Sequence, residues 1–182
     1  INVVDNPDLA TDYAIITGVI SSGTPTVGHL NKQGAGTLVL TADNTFTGTT
    51  TITAGRLVLG NGGSTGNLAG NVRFGNASTS LLINHNNMFT FGGNLIVGAG
   101  GVTISGATTG GVTFDSAMTY TGGTTIQQGT LRYAVNNALV TTRGVTINTT
   151  GTLDLNGFNG TLAQLVDGSG GGGVIINNGA GA

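Results

Sequence analysis

The sequence predicts an all-β coil, a parallel β-helix, and three observations carry that expectation. Short runs with apolar residues on alternate positions recur along the chain, each bounded by Gly or by an Asp/Asn/Gly cluster. One stretch returns after 74 residues, so that Thr45-Phe46-Thr47-Gly48-Thr49-Thr50-Thr51-Ile52 lies over Thr119-Tyr120-Thr121-Gly122-Gly123-Thr124-Thr125-Ile126. A fixed repeat of this kind is a primary signal of solenoid architecture. Helix is disfavoured, because the 182 residues include 35 Gly, much Thr, one Lys and no Glu.

Residues 32–60 hold the clearest runs, at 37–41, 49–53 and 56–59. Within them Leu38 and Leu40, then Ile52, then Leu57 and Leu59 fall on alternate positions, with mostly Thr between. Each run therefore has one face to bury and one that tolerates water. A smaller pattern (Gly, any residue, apolar, any residue, apolar) starts at Gly36, Gly55, Gly70, Gly93, Gly100, Gly110, Gly129, Gly151 and Gly172. The step from Gly36 to Gly55 equals that from Gly110 to Gly129. Strands this short bury little alone. Wound so that each pairs with its counterpart about 4.8 Å away, they stack aliphatic side chains into a narrow core and leave outward Thr and Asn as ladders. Charged residues are only 7% of the chain, which suits a stack where like charges in register repel. At roughly 20 residues per turn the chain makes about eight or nine rungs, some 40 Å in all. A β-sandwich is less suited, because its strands are longer and closed by hairpins, and only Asn156-Gly157 and Asn159-Gly160 resemble hairpin turns.

The whole of 1–182 is expected to be a single β-helix segment. Residues 1–31 differ in holding both prolines, Pro7 and Pro25, and three of the seven Asp. They form either a cap or the first one or two rungs, with 13–20 as a buried strand. Disorder is excluded by the 38% apolar content, its periodicity and a net charge of only −2. Collagen would need Gly at every third position and abundant Pro. The lack of Cys excludes a disulfide scaffold or thiolate metal site. The chain opens at Ile1 without a signal peptide, as a processed product or an excerpt would. Its apolar runs are too short to cross a bilayer as helices, so no membrane insertion of this segment is expected.

The chemistry-bearing residues are sparse. His29 and His85 sit alone in turn-like segments and read as solvated, without a second metal ligand. Asp5, Asp8 and Asp12, with Asn6, cluster as Ca²⁺ ligands might be imagined to, but match no known loop spacing and read as a hydrated cap loop. Gly168-Ser169-Gly170-Gly171-Gly172-Gly173 satisfies G-x-G-x-x-G, yet a strand-like Val174-Ile175-Ile176 follows where a helix is required. Lys32 is not placed for phosphate, and no G-x-S-x-G elbow supports a triad. Asp43, Asp115, Asp154 and Asp167 are dispersed, unlike the clustered acids of polysaccharide-cleaving enzymes. Accordingly no catalytic, cofactor-binding or metal site is assigned, and the chain reads as a non-enzyme. Five basic residues on an acidic chain argue against nucleic acid. Arg56 and Arg132 read as outward positions on the same side, solubilising a neutral wall.

Lys32-Gln33-Gly34-Ala35-Gly36-Thr37-Leu38-Val39-Leu40, Asn44-Thr45-Phe46-Thr47-Gly48, Thr50-Thr51-Ile52 and Gly55-Arg56-Leu57-Val58-Leu59-Gly60 together resemble the autotransporter-associated β-strand repeat. That pattern runs K-x-G-x-G-T-L-x-L, N-T-Y-T-G, T-T-V, G-T-L-x-L-G. Copies are assigned to 32–60 and 106–133; the second lacks the Lys-x-Gly-x-Gly opening and has Met118 in place of the Asn. The resemblance implies a right-handed parallel β-helix in a secreted or surface-displayed bacterial protein, extracellular or at the cell surface. It implies no particular activity.

Three roles follow as expectations. The first is a structural stalk or spacer that also aids export, since a stack of rungs projects whatever sits at its tip. The second is a filament subunit, self-associating end to end through open strand edges. The third is an adhesin-type module binding a glycan, a host or a cell-surface ligand, with ice binding through Thr47, Thr49, Thr51 and Thr53 as a special case.

Overall fold

The computed structural model describes residues 1–4, 13–23, 27–139 and 144–179. Sixteen strands follow one another: β1 (Tyr13–Ile16), β2 (Leu30–Lys32), β3 (Thr37–Leu40), β4 (Thr50–Ile52), β5 (Arg56–Gly63), β6 (Val72–Phe74), β7 (Ser80–His85), β8 (Met88–Thr90), β9 (Ile96–Gly98), β10 (Gly101–Ser105), β11 (Gly111–Phe114), β12 (Thr119–Tyr120), β13 (Thr124–Tyr133), β14 (Val145–Asp154), β15 (Leu165–Asp167) and β16 (Val174–Ile176). Every strand pair among the described residues is parallel. Such pairing requires a long return path between partners. Here the return is the rest of one turn, so the chain is a β-solenoid.

Each turn passes three walls. The first wall stacks β1, β3, β5, β7, β10, the first half of β13, the first half of β14, and β15. The second stacks β8, β11 and the second halves of β13 and β14, then β16. The third is a separate five-stranded sheet, β2-β4-β6-β9-β12. β13 and β14, at ten residues each, bend round the corner from the first wall to the second and join them into one sheet. Register partners on the first wall lie 19 to 24 residues apart, from Thr37↔Arg56 at the short end to Tyr13↔Thr37 and Arg56↔Ser80 at the long. The coil thus makes about seven turns, not eight or nine. Corners such as that between β5 and β7 take more residues than the sequence suggested. At 4.8 Å per turn the stack is roughly 34 Å long.

The core is built by repetition. One inward column runs Ile16, Leu40, Leu59, Ile83, Ile104, Ile126 and Ile147, each in register on the next. Its neighbour runs Ala14, Leu38, Leu57, Leu81, Val102, Thr124 and Val145. Thr124 interrupts this second column, and the buried Tyr120 hydroxyl meets its Oγ1 at 2.6 Å, so the polar atoms satisfy one another. On the third wall Gly98 leaves a gap between turns, across which the rings of Phe74 and Tyr120 meet edge to face at 6.2 Å. A Cβ on Gly98 or Gly100 would strike the backbone or ring of Phe74.

The outer surface departs from the expected Thr ladders. The outward column on the first wall is Ile15, Val39, Val58 and Leu82, then Thr103, Thr125 and Thr146, then Val166. Thr47, Thr49, Thr51 and Thr53 follow one another along a single turn. Above and below Thr51 stand Asn31, Arg73, Val97 and Thr119, so no flat Thr array forms there. The expected buried strand at 13–20 is β1 alone, and its edge position leaves Tyr13 and Ile15 exposed. Asn156 and Gly157 do adopt positive φ, 48° and 84°, but they turn the corner after β14 instead of closing a hairpin.

Truncating the column should therefore cost far more than changing the wall. Ile104→Ala is expected to lower unfolding stability by about 2–5 kcal/mol, and the adjacent outward Thr103→Ala by less than about 0.5 kcal/mol. Urea unfolding of the two variants beside the parent checks both values.

Candidate functional site: corners, walls and ends of the coil

The polar residues singled out by sequence are for the most part props between turns. Lys32 is fully buried at the end of β2. Its Nζ donates to the carbonyls of Gln33 at 2.9 Å, Gly34 at 2.7 Å and Ala54 at 3.0 Å. All three ammonium hydrogens are thereby used, and two adjacent turns are tied at one corner. Burial pulls the Lys32 pKa below its usual value. The Lys of the repeat motif is thus a structural tie, and the sequence alone did not expose this role because an isolated Lys reads as a solvated residue.

Asn44 does the same work at the next corner. It is buried, its Oδ1 accepts the N–H of Ile20 at 2.9 Å, and its Nδ2 donates to Ala42 O at 2.8 Å and Asn67 O at 3.3 Å. Its backbone forms a parallel bridge to Leu68. In the second copy Met118 takes this place. It is fully buried, bridges to Leu139, and its Sδ lies 3.3 Å from the N–H of Ile96 one turn back. A thioether, a weak acceptor, thus stands where the carboxamide oxygen stands in copy one.

The acids are also engaged. Asp43 Oδ1 accepts the N–H groups of Gly66 and Asn67, both at 3.0 Å, and the Asp115 carboxylate accepts the N–H of Gly93 at 2.9 Å. Asp154 is buried, takes the Arg132 Nε–H at 2.7 Å and the Asn156 N–H at 2.9 Å. The dispersed charges of the sequence are therefore inter-turn contacts, and Asp154 is not solitary. Asp167 lies at the C-terminal end, in register with Ile147. Asn71, Asn136, Asn137 and Asn177 cap backbone N–H groups of neighbouring turns in the same way. No group of three or more His, Cys, Asp or Glu converges among the described residues. Asp5, Asp8 and Asp12 lie outside them. After the Gly-rich loop the chain enters β16, not a helix.

Two sequence expectations are corrected. Arg56 belongs to the first wall, where its Nε lies 3.4 Å from Ser80 Oγ, whereas Arg132 belongs to the second. They do not share a side. The cause is the length of the repeat: 74 residues take the chain three turns and one wall further, so copy two is rotated by one wall. β4 of copy one stands on the third wall, and its sequence equivalent 124–126 stands on the first. His85 is the second correction. It ends β7 fully buried, its ring 4.4 Å from that of Phe89, and neither ring nitrogen has a partner in hydrogen-bonding geometry. Burial lowers its pKa, which the Asn87 side chain and the Asp43 charge oppose in part. His29 is exposed, with Nδ1 accepting the Thr49 N–H at 3.0 Å.

Two outcomes follow. Met118→Leu keeps the volume but removes the acceptor for the Ile96 N–H and should cost about 1–3 kcal/mol, while Met118→Asn should be the milder change, the reverse of an ordinary core ranking. Chemical denaturation orders the two. His85 binds its proton less readily folded than unfolded, so its contribution to stability is constant above the ordinary value near 6.5. It is lost as pH falls from there toward the lower folded value. Unfolding titrations at stepped pH should show this decline in the parent and its loss in His85→Phe.

Known proteins share part of this chain. The model of the passenger-associated transport repeat matches residues 30–59 and 92–132. The Adhesin BmaC autotransporter of Brucella suis biovar 1 (strain 1330) is 45% identical over 71 residues, which are 39% of this chain and 2% of that protein. No solved structure matches. The match at 92–132 begins upstream of the copy read from sequence, on the third wall at 92–98, and so covers β9 to most of β13. Residues 30–59 and 92–132 of this β-solenoid are passenger-associated transport repeats.

Proposed function

We propose that this chain is a structural segment of an autotransporter-type passenger, displayed outside the bacterial cell, that works as a stiff spacer. The observation that carries the reading is the use of its polar residues. Lys32, Asn44, Asp43, Asp115 and Asp154 are all engaged in joining adjacent turns or in tightening a corner. Little chemistry-bearing material is left over for a reaction, which favours a role without catalysis. A column continuous through seven turns resists bending, because flexing would open many in-register contacts at once. The repeat family and the autotransporter relative support display at the surface.

Adhesion is the second reading, and the adhesin name of the relative favours it. The outward columns would then carry the contacts, with the stack as their support.

Antibodies raised against this segment should label intact cells that make the protein, and protease added outside should remove the signal. Labelling only after permeabilisation would overturn the display reading. Retention of the purified chain on a glycan array would move the assignment from spacer to adhesin.

A further inference from the structure

The C-terminal end of the coil is an apolar surface with one charge set into it. On the first wall Leu165 stacks inward on Val145, and Asp167 stacks on Ile147 at the head of the long aliphatic column. On the second wall Ile175 stacks on Leu153. Leu165 is 49% exposed and Ile175 44%, although their counterparts one turn earlier are buried. Gly173 sits over Ile147, where a Cβ would strike its side chain, so an open recess of about 230 Å³ remains between Ile147, Leu165, Val166, Asp167, Gly173 and Ile175. Among the described residues β15 and β16 pair on one edge only.

The surface that fits this end is the first rung of a second copy. β1 likewise pairs on one edge, to β3, and turns Ala14 and Ile16 inward. Laid on in the register that the coil keeps on its first wall, Ala14 would meet Leu165 and Ile16 would meet Asp167. The first contact is favourable. The second would strip water from a carboxylate against an aliphatic side chain, and β1 brings no cation to meet it. We infer that Asp167 is an edge guard: an inward-pointing charge at the head of the column that keeps a second copy from continuing the stack. Inward charges on open strand edges are a known means of preventing edge-to-edge growth. The inference does not depend on surface display, since it concerns the isolated chain.

Sedimentation velocity of the full 182-residue chain over a range of concentrations tests it. The parent should stay monomeric. Asp167→Ile should associate at least about tenfold more tightly, and Thr103→Ile, which adds the same apolar group to the wall, should not. Ile16→Lys, which supplies a cation opposite Asp167, should associate in a salt-sensitive manner without any change at the C-terminal end. Far-UV circular dichroism establishes that each variant is folded. Association of the parent as strong as that of Asp167→Ile would overturn the proposal. So would a folded, monomeric Asp167→Ile, or equal association of Thr103→Ile. If Asp167→Ile does not fold, a monomeric Ile16→Lys would overturn it.

Discussion

Each residue of this coil rests on a counterpart one turn away, in register and in parallel, and every other feature follows from that constraint. A position that suits one turn must suit the next, because the two touch over their full length. Aliphatic side chains satisfy this condition most simply, which is why Leu40, Leu59, Ile83, Ile104, Ile126 and Ile147 succeed one another. Like charges cannot satisfy it, and the charge content of 7% reflects their exclusion. Where charged residues do stack, at Arg132 and Asp154, they are of opposite sign and bonded at 2.7 Å. The corners obey the same constraint through different atoms. Backbone N–H and C=O groups that leave the sheet there are met by Asn, Asp, Lys or Met from an adjacent turn, so that few are left without partners.

Strands and core were legible in the sequence because both rest on local periodicity. Leu38 and Leu40, or Leu57 and Leu59, point inward for the reason their spacing indicates, and the Gly that opens each run marks a corner. The turn count was less legible, since it depends on corner length, and a Gly/Asn/Ser loop such as 61–67 carries no periodic signal. His85 shows a different limit. Its neighbours Asn84, Asn86 and Asn87 suggest a solvated turn, yet alternation from Leu81 and Ile83 carries the ring inward onto Phe89. The pattern of β7 was the better guide than its polar flank. Val39 and Val58 fail in the opposite sense. They are outward by register but largely covered, with 7% exposure each, because neighbours in the same wall close over a short branched side chain.

The polar residues of the repeat motif were recognisable before their work was. Lys32 and Asn44 stand at fixed places in the pattern, which says that something depends on them but not what. Coordinates show the dependence to be three carbonyls for one and an N–H with two carbonyls for the other. Met118 extends the point: what the position preserves is an acceptor facing the previous turn, and a sulfur atom can meet that need. A motif read only as a string of residue types would score Met118 as a loss.

Copy two stands one wall round from copy one, and this has a consequence for anything borne on the surface. A group carried at a given motif position points along one compass bearing in the first copy and along another in the second, as Arg56 and Arg132 do. Repeats spaced in this way spread their outward features around the axis like steps on a spiral stair, so the shaft has no single front.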